Sequence, residues 1–437
     1  MTVLMNKKAE IKNRIDLINR GEVPEGYKCC WGYIYPESWN IKSLKDLFYK
    51  VKTKNTANES LPVLTNSATL GVILQDEYFD REIVNDENTN NYYIVENGDF
   101  MYNPRISSNA PAGPINRNTL GQKGIASPLY TIFRAKDTKN IEFVEKYFKS
   151  NYWHRYMKSV SNQGARHDRL NINDEDFMRM PIPQPSKQEQ EKIAKILNCC
   201  DKVIELKQKL LELKTKEQCW IRQNILTGKI RFPKFKKNWE NVKLKDILYE
   251  HKQTSTGKEI VCSVAVKKGI ISQVEHLGKY CAADDTSNYN LVEPGNIVYT
   301  KSPTGQFPYG IIKQSKLLKN VIVSPLYGVF RPKNYEIGAF LDEYFKSYVY
   351  TNNYLKPIIQ KGAKNTINIT NTTFLSNYIK IPLDIEEQKL INKLINIKNN
   401  EITNIENEID EFKQLKKSLS QLLLTGIVRT VEVDCEN

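Results

Sequence analysis

Four histidines, His154, His167, His251 and His276, are all the imidazoles in the 437-residue chain. No two of them stand four apart, the spacing that would aim two metal ligands from one helix face. No Gly-x-x-x-x-Gly-Lys-Ser/Thr loop is present to cradle a nucleotide phosphate, and no Gly-x-Gly-x-x-Gly follows a strand. The Asn/Asp-Pro-Pro-Tyr/Phe tetrapeptide with which amino-methylating enzymes grip a flipped base is missing too. Glu205-Leu206-Lys207 and Glu212-Leu213-Lys214 imitate nuclease carboxylate–lysine pairs, but they fall inside a long polar helix, where a solvated charged face explains them better. The eight cysteines include the adjacent pairs Cys29-Cys30 and Cys199-Cys200 and no Cys-x-x-Cys, which indicates neither a disulfide framework nor a zinc site. These residues argue for a protein that binds rather than one that catalyses. The formal net charge of +14 makes a polyanion, and nucleic acid first, the expected partner.

The elements that would position a binding surface are repeated. Two stretches, Lys187 to Gly228 and Ile385 to Gly426, read as long helices without proline, and each stops at Leu-Thr-Gly, where glycine can adopt the left-handed conformation. In the second, Ile391, Ile395, Ile402, Ile405, Ile409, Phe412, Leu419 and Leu423 follow alternating steps of three and four, interrupted by Lys398 and Lys416. In the first, Ile193, Ile196, Leu197, Cys200, Val203, Ile204, Leu210, Leu211, Ile221 and Ile225 keep one face apolar. Such rods, roughly 60 Å long, are too long to fill one core and are expected to pack on each other as a spacer.

Each rod follows a copy of the same domain. Trp39, Leu44, Lys45, Asp46 and Tyr49 return 200 residues later as Trp239, Leu244, Lys245, Asp246 and Tyr249. Between Ala126 to Lys136 and Val323 to Lys333 seven of eleven positions are identical at an offset of 197, so the halves are one fold used twice. In each, short apolar runs (Phe100 to Tyr102 and Leu129 to Phe133; Ile297 to Tyr299 and Leu326 to Phe330) read as strands, and Phe143 to Tyr156 and Phe340 to Tyr354 carry aromatics at helical spacing. The fold class is therefore mixed α/β. The segments that differ, Asn103 to Gly124 and Thr300 to Lys319, are read as divergent loops on a shared scaffold. The organisation expected is an amphipathic leader over 1–35, an α/β domain over 36–186, a long helix over 187–235, a second domain over 236–384, and a long helix with tail over 385–437. No run of about 18 apolar residues exists to span a membrane, and Met1 to Arg20 alternates charge with apolar residues unlike a signal peptide, so a cytoplasmic location is expected.

This arrangement resembles the specificity subunit of type I restriction–modification enzymes over nearly the whole chain. Pro36-Glu37-Ser38-Trp39, Gly164-Ala165 before Asn171-Ile172, Gly362-Ala363 before Asn368-Ile369, Ile182-Pro183, Ile381-Pro382, Glu189-Gln190-Glu191-Lys192-Ile193 and Glu387-Gln388-Lys389 carry the likeness. Lys237-Asn238-Trp239 departs from it at the start of the second domain, as does the leader of roughly 35 residues. The resemblance implies two target recognition domains, each reading one half of a split asymmetric sequence in double-stranded DNA. Two long antiparallel helices would form a coiled-coil-like spacer with internal pseudo-two-fold symmetry. It also implies two docked modification subunits that bind S-adenosylmethionine and methylate adenine at N6, and restriction subunits, using ATP and Mg²⁺, that can join them; no cofactor is expected in this chain.

Recognition needs cations for phosphates and amide or guanidinium groups for base edges. On that ground Arg105, Asn116, Arg117 and Lys123 are the expected DNA contacts of the first domain, and Lys301, Gln306, Tyr309 and Lys313 those of the second. Near the Gly-Ala motifs, Arg166, His167 and Arg169, with Lys361, Lys364 and Asn365, are expected to contact the DNA backbone or groove. Partner contacts are expected along Ile196, Val203 and Leu210 of the first rod and Ile402, Ile405 and Ile409 of the second. Competing readings are a single-chain nuclease or methyltransferase with an unfamiliar site, and a coiled-coil scaffold with no DNA role.

Overall fold

The computed structural model describes residues 2–78, 89–139, 141–162, 168–277, 285–361 and 367–430. The chain forms two compact units, residues 1–207 with 408–437, and residues 208–407. Each unit thus holds one α/β domain and half of each long helix.

The centre of the first unit is an antiparallel sheet in the order Phe48–Lys50, Thr131–Ala135, Phe100–Tyr102, Ile115–Arg117. Successive side chains on a strand point to opposite faces, and both faces here are covered. Phe100, Tyr102 and Phe133 join a core with Trp39, Phe143, Phe148 and Phe177. Met101 and Ile132 join another with Val51, Leu64, Val72 and Val95. The second unit repeats the sheet as Leu248–Glu250, Gly328–Pro332, Ile297–Tyr299, Ile312–Gln314. Its register is the same, with Phe100 opposite Phe133 and Ile297 opposite Phe330. Ile297, Tyr299 and Phe330 turn to one core and Val298 and Val329 to the other.

The sequence expectation fails at two details. Leu129 and Leu326 do not open strands; they sit exposed in Ser-Pro-Leu-Tyr turns closed by Tyr130 N–H to the Ser127 carbonyl and Tyr327 N–H to the Ser324 carbonyl. Each expected aromatic helix is two helices, Ile141–Phe148 with His154–Val160, and Tyr335–Phe345 with Tyr348–Leu355. A serine stands at both breaks: the Ser150 hydroxyl donates to the Tyr147 carbonyl, and Ser347 caps the following helix.

The ends of each domain are tied together by a strand pair, Asn40–Ser43 with Pro181–Gln184 and Glu240–Lys243 with Tyr378–Ile381. From these pairs the long helices Lys187–Ile225 and Ile385–Leu424 depart, 39 and 40 residues each. Both end as expected, at Gly228 and Gly426 with φ of 69°. Within the first unit, residues 187–207 run antiparallel to 408–424: Lys207 reaches Glu408 at 2.7 Å and Asp201 meets Lys416. Within the second, residues 208–225 run antiparallel to 385–407: Lys214 reaches Glu401 at 2.9 Å and Lys398 reaches Glu217 at 2.8 Å.

The seam of the terminal helix is the one its spacing predicts, with Ile391, Ile395, Ile405, Ile409 and Leu423 buried. On the central helix the covered positions are Ile193, Leu197, Cys200, Ile204, Lys207, Leu211, Lys214, Gln218, Ile221 and Ile225, an unbroken three-four repeat. Ile196 and Leu210 are not on it. They are 37% and 40% exposed and belong to an outward stripe, so the expected single apolar face is two.

Candidate nucleic-acid interface

In both units the segment after the inner sheet strand is pinned the same way. The Tyr102 hydroxyl donates to the Ala112 carbonyl at 3.1 Å, and the Tyr299 hydroxyl to the Tyr309 carbonyl at 2.7 Å. One residue beyond each acceptor stands a glycine with positive φ, Gly113 at 78° and Gly310 at 94°. A Cβ at Gly113 would lie 2.1 Å from the Asn103 carbonyl oxygen, and one at Gly310 would lie 3.0 Å from the Lys301 amide. Only glycine closes the base of the loop so tightly. Neither glycine was singled out from sequence, although they match at the offset of 197 that relates the domains.

On this base Arg105 and Arg169 come together. They pair as a β-bridge, flanked by Ile106 N–H to the Asp168 carbonyl at 2.9 Å and Leu170 N–H to the Pro104 carbonyl at 3.0 Å. Both guanidinium groups lie 3.8 Å from the Asp168 carboxylate. Two cations share one anion, and the Arg105 side chain is 62% exposed. Such a pair can contact a phosphate or a base edge. Arg166 and His167 lie outside the described residues, as do Lys364 and Asn365; Lys361 ends the short strand Gln360–Lys361 paired to Ile367–Asn368.

Several expected contacts are placed elsewhere. Asn116, Arg117 and Lys313 are not on loops, because Ile115–Arg117 and Ile312–Gln314 are edge strands of the two sheets. Asn116 is buried, and its amide donates to the Asn66 side chain at 2.6 Å and the Ser67 carbonyl at 3.0 Å. Lys313 is 3% exposed, and burial holds its ammonium below the usual lysine range. Arg117 pairs with Glu145 at 2.7 Å, both half-buried. Arg117 thus ties its sheet to the helix Ile141–Phe148, and Asn116 ties it to the strand Leu64–Ser67. Lys123 is exposed and paired with Glu59 at 2.7 Å, a bond that raises its pKa. In the second unit Gln306 is exposed, and Tyr309 is half-buried against the core. Lys301 takes a φ of 56°, and burial lowers its pKa.

A second repeated device joins each domain to its helices. The Trp39 indole donates to Glu189 at 3.0 Å, and Arg429 grips the same fully buried carboxylate with two bonds, at 2.8 and 2.9 Å. In the other unit the Trp239 indole donates to Glu387 at 3.1 Å, and Arg231 binds that carboxylate with two bonds of 2.8 Å. Each arginine stands five residues after the leucine of a Leu-Thr-Gly stop, a spacing that would have disclosed it.

The expected partner residues divide between two surfaces. Ile405 and Ile409 are buried in the helix seam and Ile402 is half-buried beside them, so they hold the helices and are not open to a further protein. Ile196, Val203 and Leu206 in the first unit, and Leu210, Leu213 and Trp220 in the second, lie outside that seam on the central helix. Among the described residues no helix is long and apolar enough to cross a membrane, and no cluster of three or more metal-ligating side chains occurs.

The chain thus holds a duplicated α/β domain with a loop pinned the same way in each copy, and each copy is clasped to segments of both long helices. Residues 36–215 match the family model described as the type I restriction modification DNA specificity domain. The chain is 25% identical over 435 residues to the type I restriction enzyme MjaVIII specificity subunit of Methanocaldococcus jannaschii, covering 93% of this chain and 96% of that one. Its fold is similar to the HsdS subunit from Thermoanaerobacter tengcongensis, with a TM-score of 0.50 and 16% identity over 90% of this chain and 98% of that one. It is equally similar, with a TM-score of 0.50 and 14% identity over 90% of this chain and 99% of the other, to a chain from a structural study of complex assembly and conformational transition of the type I R-M system. Over nearly its whole length the chain is thus similar to specificity subunits of type I restriction enzymes, and residues 36–215 carry the match to their DNA specificity domain.

Proposed function

We propose that this chain is the sequence-reading subunit of a type I restriction–modification complex. Each α/β domain reads one half of a split, asymmetric DNA word, and the long helices carry the modification subunits. The observation that carries this reading is the loop built twice on one base, Tyr102 with Gly113 and Tyr299 with Gly310, presenting Arg105 beside Arg169 in one copy and Gln306 in the other. A rigid base with different polar side chains is what two readers of different half-words require.

The outward apolar side chains of the central helix, Ile196 and Leu206 in the first unit and Leu210, Leu213 and Trp220 in the second, supply docking contacts for modification subunits, since large exposed apolar side chains in series mark a protein contact. S-adenosylmethionine, ATP and Mg²⁺ act on partner subunits in this reading, and the chain itself performs no chemistry. Restriction subunits complete the assembly when present. Co-expression with the modification subunit, followed by mapping of methylated adenines, tests the proposal. Methylation at a two-part site that requires both chains supports it, and methyl transfer by this chain alone refutes it.

A further inference from the structure

The first unit contains a cleft of about 620 Å³ between its α/β domain and the antiparallel helix segments. Five lysines line it, Lys146, Lys149, Lys413, Lys416 and Lys417, against one carboxylate, Asp201. Asp201 is shared by Lys146, at 2.8 Å, and Lys416. Burial opposes its ionisation, but these two bonds outweigh burial and hold its pKa below the usual range. The Lys149 ammonium bonds the neutral Asn116 amide oxygen, and burial lowers its pKa. His154, also on the wall, is held neutral at ordinary pH, pushed down to about 4 by burial and by Lys158. Lys413 is also paired, with the exposed Asp410 at 3.2 Å, so five cations stand against two anions and the cleft keeps a surplus of three positive charges.

The duplication makes this cleft informative. At the offset of 198 that relates the two helices, the positions of Lys413, Lys416 and Lys417 are held by Thr215, Gln218 and Cys219, and at the offset of 197 Lys146 corresponds to Glu343. Glu343 is buried and paired to Lys346 and Arg222. The scaffold does not need the lysines, since its second copy folds around other residues. Lys149 recurs as Lys346, whereas Lys146, Lys413, Lys416 and Lys417 are a feature of one copy only.

We infer that this cleft is a phosphate-backbone site that anchors the DNA duplex at the first domain, beside the loop that reads it. The cleft wall includes Asn109 and Ala110, which belong to the same loop as Arg105, so the cleft runs from the reading loop to the helix segments. Lys413 and Lys417, one helical turn apart, span about 6 Å, on the scale of neighbouring phosphates in one strand. Ammonium groups on separate flexible stems suit phosphates met without regard to base identity. The site fixes register and contributes affinity, and it leaves sequence choice to the loops.

This inference rests on the DNA-reading function, and its test separates the two. The complex of the full chain with its modification subunit is titrated with duplex DNA at several salt concentrations, using Lys413→Gln/Lys417→Gln and the charge-retaining Lys413→Arg/Lys417→Arg. The glutamine pair should weaken binding to cognate and unrelated duplexes alike. It should also lower the slope of log affinity against log salt by about 1.8, from about 0.9 for each phosphate no longer neutralised. The arginine pair should keep the parental slope, and the methylated sequence should be the same in all three. An unchanged slope overturns the inference: with assembly weakened, the cleft holds an acidic segment of the modification subunit, and with assembly intact, it is only solvated. A salt slope that falls as expected in a complex that methylates no defined sequence would sink the two-reader function and leave the phosphate site standing.

Discussion

Arg429 binds Glu189 through two parallel hydrogen bonds of 2.8 and 2.9 Å, and the carboxylate it grips is fully buried beneath Trp39. Removing the guanidinium leaves that carboxylate buried without its cation, which typically costs about 3–5 kcal/mol. Arg429→Ala should therefore lower the denaturant midpoint of the first unit, while Arg231→Ala should do the same to the second through Glu387. Amide hydrogen exchange against denaturant, followed in the strand pair Asn40–Ser43 with Pro181–Gln184 of one unit and Glu240–Lys243 with Tyr378–Ile381 of the other, reads the two separately. Equal loss in both units from either substitution would contradict independent clasps.

Gly113→Ala should damage reading more than stability. The left-handed backbone alone costs a non-glycine residue about 1–2 kcal/mol, and the added methyl would meet the Asn103 carbonyl 2.1 Å away. The loop carrying Arg105 must then shift, while in the core the methyl meets only the edge of the Tyr102 ring, at 3.0 Å. Gly310→Ala, whose methyl would sit 3.0 Å from its neighbour, should be milder. Methylation by the complex should lose fidelity in one half-word with each variant, the greater loss falling to Gly113→Ala.

Leu206→Glu and Leu213→Glu place charge on the outward stripe of the central helix, at side chains 52% and 63% exposed. Exposed substitutions of this kind change stability by only about 0.5 kcal/mol, yet they put an ionised group into any apolar contact formed there. Size exclusion with the modification subunit should show weakened assembly at unchanged melting temperature. Full assembly with both substitutions would move the docking face elsewhere.

Glu217 is held down to about 2 by hydrogen bonds from Lys398 and then Lys214, against an ordinary value of 4.5. A depressed carboxylate stabilises the folded state fully above its unfolded value and loses that contribution as pH falls toward its folded one. The helix segments of the second unit should hold together down to about pH 4.5 and loosen between there and about pH 2, because Glu217 ties the two helices together through Lys398. The site faces solvent, so added salt should blunt the effect. Helical circular dichroism against pH at two ionic strengths checks both parts.

The sequence disclosed the duplication, the strands at Phe100 and Ile297 and the seam of the terminal helix, because each leaves a period or an offset behind. On the central helix it could not separate Ile193 and Leu197 from Ile196, Val203 and Leu210. The two apolar stripes there interleave, and only packing decides which one the partner helix covers. Asn116 and Lys313 read as loop residues because their strands are three residues long and share only the isoleucine that opens each, Ile115 and Ile312. The pairing of Arg105 with Arg169 joins segments over sixty residues apart through a bridge that no local pattern encodes.

The central claim is that each domain reads its half of the word independently. Replacing residues 103–114, from the end of one sheet strand to the start of the next, with the loop of a relative of different specificity, and mapping methylated adenines made by the assembled complex, tests it most directly. The expected result is a two-part site in which only the half assigned to the first domain changes. A change in both halves together, or an unaltered word, would contradict it.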